Sequence, residues 1–227
     1  MINILGIAKN GKRVKMKKKV LVLTGDYWHP TDSITPVLGE IFDEKEWDVT
    51  VTENPKDLSA EDAPDLFVSF KDVIENDQIP TPLWCDDEWA KTLDTCIKEK
   101  GTGFVAVHCG LADIPEDHFI TKNILRAFFI THPEQCEVSF EPVESELTEG
   151  IQPFTFSHPD EHYQMEIKGD TNVIGYSVSV NGRQPAIWYH HYGEGKVVGI
   201  TPGHSYENLG EPEYLKLLRR CTAWCTR

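Results

Sequence analysis

The chain of 227 residues is short of positive charge: 22 Lys and Arg stand against 37 Asp and Glu, a formal net charge of −15. So acidic a protein repels phosphate backbones and anionic lipid surfaces, which removes nucleic acid and membranes from the expected partners. No Cys-x-x-Cys pair occurs, so neither a zinc knuckle nor a thioredoxin motif is present. The six cysteines, Cys85, Cys96, Cys109, Cys136, Cys221 and Cys225, are scattered through expected strands and helices. They read as reduced thiols of a cytoplasmic protein. The Gly25-Asp26-Tyr27 loop lacks the Gly-x-Gly-x-x-Gly pattern, so no nucleotide cofactor is expected. A local His-Glu-x-x-His metal motif is missing too, as are internal repeats.

The leader MINILGIAKNGKRVKMKKK carries its apolar residues before its basic cluster, the reverse of a secretory signal. Residues 1–15 are expected to be a disordered basic extension, with Met16 as the start and 16–227 as one α/β domain.

From there the pattern is regular. Val20 to Thr24 reads as a buried strand, residues 33–43 as a helix and WDVTVTE as a second strand. Asp65 to Phe70 is a third strand. Asp86 to Glu99 has helical spacing at Trp89, Leu93 and Ile97 behind an acidic first turn. GTGFVAVHCG supplies a fourth strand. This alternation, with nearly all-apolar strands, predicts a mostly parallel, doubly wound, flavodoxin-like sheet with helices on both faces. The second half changes character. EVSFEPVE, HYQMEI, TNVIGYSVSV, AIWYHHY and KVVGITPG are closely spaced and turn-bounded, and predict extra antiparallel strands. A helix over Pro212 to Trp224 closes the chain.

In doubly wound sheets ligands sit beyond the carboxyl ends of the strands. Three such ends carry a histidine: His29 after the first strand, His108 after the fourth and His204 after KVVGITPG. One edge should therefore collect residues far apart in sequence.

With these residues in view, the chain resembles the ThuA-like (trehalose utilisation) family, whose fold is like that of the class I glutamine amidotransferases. The likeness rests on the LTG…H opening, FVAVHCG, ELTEGI, DEHY, the run PAIWYHHYGEGKVVGITPGH and a last helix ending in Ala-Trp. Amidotransferases of this fold hold their nucleophile in a Cys-x-Gly elbow. Here His108-Cys109-Gly110 puts the histidine at that position and Cys109 at the variable one. His132-Pro133-Glu134 comes too early for the amidotransferase His-Pro-Glu, so ammonia-generating chemistry is not expected.

The resemblance implies an enzyme of sugar catabolism acting on a trehalose-like disaccharide or its 3-keto derivative. His204, His108 and Glu161 are the expected catalytic residues, Glu161 from the Asp-Glu-x-Tyr motif. His29, Trp28, Tyr163, Asp160, His132 and Tyr206 are expected around the sugar, with aromatic rings stacking on its apolar face. Three histidines and a carboxylate (His29, His108, His204 and Glu161) would also suit a divalent metal such as zinc. Whether these residues hold a metal or run acid–base chemistry stays open at this stage, as does lyase, hydrolase or isomerase action. Two other readings stand beside it: a non-catalytic sugar-binding accessory of a sugar dehydrogenase, and a Cys109-dependent hydrolase. A homo-oligomer is compatible with all three. His190 and His191 point to opposite faces of one strand and are read as structural.

Overall fold

A computed structural model describes residues 16–74 and 83–226; the expected leader, 1–15, lies outside the described residues. Its frame is a nine-stranded sheet of order β2-β1-β3-β4-β11-β10-β9-β6-β7. Five neighbouring strands run parallel: β2 (Trp47–Thr52), β1 (Lys18–Leu23), β3 (Leu66–Ser69), β4 (Gly103–Val107) and β11 (Gly195–Ile200). Beyond β11 the sheet continues antiparallel through β10 (Gly182–Tyr192), β9 (Asn172–Ser179), β6 (Ser139–Pro142) and β7 (Phe154–Thr155).

Strand periodicity explains how this sheet is covered, because successive side chains point to opposite faces. Val20 and Val22 of β1 join the core layer of α1 (Thr35–Ile41) and α4 (Pro212–Cys225). Leu21 and Leu23 join the layer of α2 (Asp87–Lys98) instead. Both layers are apolar, so the central strands β3 and β4 are buried throughout and carry no polar alternation, whereas the edge strand β2 is mostly exposed. Helix α2 begins where Asp86 accepts the Trp89 N–H at 2.8 Å. Such a cap contributes about 1 kcal/mol, and Asp87 and Glu88 complement the helix dipole.

One expected strand has an unexpected partner. HYQMEI forms β8 (Gln164–Ile167), which leaves the main sheet and pairs antiparallel with β5 (Ala127–Thr131) in a separate two-stranded sheet. Alternation marks a strand but does not name its neighbour. The β5–β8 ribbon stands at the carboxyl edge of the parallel strands as a wall. His190 is buried and His191 packs on Trp224, ring centroids 5.4 Å apart. No helix among the described residues is long and apolar enough to cross a membrane.

Candidate functional site

The parallel strands end on one edge, and the loops leaving them bring distant residues together. After β4 the chain turns through His108, whose φ of 48° is left-handed, a rare state for a side chain of this size. The turn is tight because Gly110 lies against β3: a Cβ there would come within 2.2 Å of the Ser69 carbonyl oxygen. His108 is thus presented at the elbow, while Cys109 turns into the core.

His29 is aimed by an Asx turn. Asp26 accepts the backbone N–H groups of Trp28 and His29 at 2.8 and 2.6 Å, and the His29 Nδ1–H at 3.0 Å. His108 Nδ1–H donates to the Thr201 carbonyl at 2.8 Å. Carboxylate and carbonyl oxygens only accept here, so both neutral imidazoles carry their lone pair on Nε2. His29 Nε2 and His108 Nε2 each lie 3.3 Å from His204 Nδ1. Glu161 Oε2 is 3.1 Å from His108 Nε2 and 3.4 Å from His204 Nδ1. All four atoms lie within 4.8 Å of one another.

Burial would raise Glu161, but the imidazoles of His108 and His204 beside it outweigh that effect and hold its carboxyl well below the usual range. The same contact with Glu161 raises His204 against the opposing effect of burial. Three lone-pair atoms and one imidazole nitrogen therefore converge, an arrangement that could share a proton or hold a cation at its centre.

Asp160, expected in the sugar-binding set, is a positioning group instead. It is fully buried, and its oxygens accept from the backbone of Glu161 at 2.8 Å, Gly203 at 2.9 Å and His204 at 3.3 Å. The Asn208 amide adds a bond at 3.2 Å. This carboxyl ties the Glu161 loop to the His204 turn. The next residue but one, His162, turns away and bonds Ser177 and Ser179 of β9.

A cavity of about 570 Å³ opens onto the cluster. His29, His204 and Glu161 line it together with Trp28, Tyr163 and His132 from the expected set. Tyr163 is buried and stacks on His108 at 4.3 Å. Trp28 is 58% exposed and meets Tyr27 edge-on at 4.6 Å. His132, at the end of β5, has Nε2 at 3.8 Å from Glu161 Oε2. Tyr206 is outside this lining; it begins a short helix, α3 (Tyr206–Leu209), where the neighbouring Glu207 carboxylate raises its phenol.

Two acidic lining residues, Asp72 and Asp113, were not among the expected ones, nor was Asp26 behind His29. The signal was present, since Asp26 and Asp72 follow strand ends just as the histidines do.

Cys109 Sγ donates to the Phe70 carbonyl at 2.6 Å, and burial pushes its thiol well above the ordinary range. The folded protein is therefore expected to resist alkylation at Cys109, which peptide mass mapping after iodoacetamide treatment checks. The half-buried Cys136 should react first. Rapid labelling of Cys109 would restore the nucleophile reading.

No curated protein matches the chain in sequence. Among solved structures, a ThuA-like protein from Parabacteroides merdae superposes with a TM-score of 0.70 at 17% identity, covering 92% of this chain and 90% of that one. A ThuA-like protein from Bacteroides uniformis gives 0.71 at 14% identity, covering 97% and 95%. A cytoplasmic protein from Salmonella typhimurium gives 0.59 at 15% identity, covering 92% and 97%. The model of the ThuA family, described as trehalose utilisation, matches residues 19–225. With that match spanning nearly the whole chain, the protein belongs to the ThuA family.

Proposed function

We propose that the chain is a cytoplasmic enzyme of sugar metabolism that acts on a trehalose-like disaccharide in its 3-keto form, with a divalent cation held by His29, His108, His204 and Glu161. The convergence of four donor atoms on the floor of a cavity walled by aromatic rings carries this reading. Four of their six separations, 3.1 to 3.4 Å, fit the donor set to a small cation. A tetrahedral centre with bonds near 2.0–2.1 Å has edges of about 3.4 Å. The hydrogen bonds from His29 to Asp26 and from His108 to Thr201 are the outer contacts that orient metal-binding imidazoles. Bound there, such an ion supplies Lewis-acid polarisation of a carbonyl oxygen.

The remaining chemistry falls to the chain's own residues. His132 Nδ1–H donates to the Pro133 carbonyl at 2.9 Å, so its neutral ring keeps the lone pair on Nε2. A keto group acidifies the neighbouring C–H, and His132 Nε2 is the base that takes this proton. The C–H electron pair passes into the sugar's carbon skeleton and then expels the glycosidic oxygen, an elimination. Trp28 offers an apolar ring for the sugar to stack on.

The test is incubation with 3-keto-trehalose. Cleavage should stop with a chelator, return with Zn²⁺, and fall by ~10²–10⁴-fold in His132→Ala. Unchanged cleavage in that variant sinks the base assignment. Acid–base chemistry by His204 and Glu161 without a cation is the second reading, favoured by the Glu161 contact that raises His204; cleavage insensitive to chelation would select it. Binding without any cleavage would select the accessory role.

A further inference from the structure

We infer that β2 is an interface between two copies of this chain: across a two-fold axis at Thr50, the β2 strands of two molecules pair antiparallel and join their sheets into one. This contact is separate from the cavity, to whose lining β2 contributes no residue.

The two edges of the main sheet differ. At one edge β7 has only two residues, too short to template another strand. At the other, β2 is open along six residues and is paired with β1 in unbroken register. No Lys, Pro or bulge blunts Trp47-Asp48-Val49-Thr50-Val51-Thr52, whose only charge is Asp48, and Val and Thr favour strand pairing. Val49 is 37% exposed and Val51 40%. They lie on the face of Val20 and Val22, their partners on β1, but the α1 layer that buries those two leaves Val49 and Val51 open.

Hydrogen bonding shows which backbone groups are open as well. Lys18 and Thr24 donate to the carbonyls of Glu46 and Thr52, both at 2.9 Å. A parallel ladder bonds alternate residues, so Asp48 and Thr50 also face β1, while Val49 and Val51 direct N–H and C=O outward. Among the described residues no backbone group bonds these outward atoms.

A second β2 is the complement of this edge. With Thr50 opposite Thr50 of the other copy, Val49 meets Val51, and each such pair exchanges both of its N–H···O=C bonds. Centring on Val49 instead would oppose Val51 to Trp47, whose N–H is already given to the Asp43 carbonyl at 3.0 Å. Centring on Val51 would oppose Val49 to Glu53, beyond the strand's end. The Thr50 register also keeps charges apart, which matters for two chains of −15 each. Asp48 falls opposite Thr52, and the two Asp48 carboxylates lie about 14 Å apart along the strands, beyond the ~8 Å screening length at physiological salt. The valines of both copies then form one apolar patch and leave water together.

Sedimentation equilibrium of the full chain should show a dimer. Val51→Pro removes an outward N–H and no bond to β1, so the fold keeps its ladder. The dimer's Kd should rise ~10²-fold or more, since the Val49 carbonyl of each copy loses its donor. Val49→Lys, which charges the same edge, should act alike with circular dichroism unchanged. Disulfide trapping reads the register. Residues opposite one another in a non-hydrogen-bonded pair have Cα atoms about 4.5 Å apart, within disulfide reach. Thr50→Cys should therefore oxidise to a covalent dimer bridged at position 50. Asp48→Cys, whose counterpart is about 14 Å away, should not. A monomeric wild-type chain overturns the inference, as does a dimer that both edge variants leave intact. Equal bridging by Asp48→Cys and Thr50→Cys overturns the axis at Thr50.

Discussion

Stripped with a chelator and titrated with Zn²⁺, the protein is expected to take up one ion per chain and to melt at a markedly higher temperature. Binding to the folded state alone stabilises by about 4.1 kcal/mol when free ion is a thousandfold above Kd. For a chain of this size each kcal/mol moves Tm by roughly 2–4 °C, so the rise should be roughly 8–16 °C. His108→Ala should abolish it, because that imidazole is buried at the elbow with its Nε2 facing both Glu161 and His204. Asp26→Asn should only weaken the ion's affinity, by roughly 10–100-fold, since it orients His29 without joining the cluster. Elemental analysis showing no bound ion, with no thermal shift, would sink the cation reading.

Tyr214→Ala should cause the largest loss of stability. Tyr214 is fully buried on α4, within ring contact of Phe140, Phe154 and Phe156 at 5.1 to 6.3 Å between centroids. Truncating such a ring costs about 3–5 kcal/mol, a large share of the roughly 5–15 kcal/mol that holds a domain together. Its hydroxyl also donates to the Pro202 carbonyl at 2.9 Å, at the turn that carries His204. Tyr214→Phe keeps the ring and removes only that bond, leaving a buried carbonyl unpaired at about 1–3 kcal/mol. Thermal denaturation should therefore rank wild type above Tyr214→Phe above Tyr214→Ala. Zn²⁺ affinity should already drop in Tyr214→Phe, because the His204 turn loosens. A Tyr214→Phe protein with unaltered affinity would show that the turn is held without this bond.

Much of the frame was readable in one dimension because its signals are local. The strands of the parallel half lie within three residues of their expected bounds, since mostly apolar runs bounded by turn residues have few other uses. The acidic first turn that predicted the Asp86–Glu99 helix is the turn that Asp86 caps. The grouping of His29, His108 and His204 was legible for a topological reason: parallel strands end on one edge, whatever their order.

The roles within Asp160-Glu161-His162-Tyr163 were not legible, because four successive polar or aromatic residues carry no mark of which way each points. Asp160 goes under the His204 turn, Glu161 into the cluster, His162 onto β9 and Tyr163 against His108. Nor could the chain order show that β8 would pair with β5 rather than with the main sheet, bringing His132 to the cavity wall.

By itself the sequence determined an acidic α/β chain with histidines at three strand ends and a histidine where related folds place a nucleophile. The first two follow from residue type and periodicity, which act over a few positions, and the last from the resemblance to a known family. Tertiary structure decided which lone pairs face one another, which carboxyl ties the Glu161 loop to the His204 turn and which thiol is buried. Such relations depend on distances of about 3 Å between residues far apart in the chain, and only the packed sheet edge brings them that close.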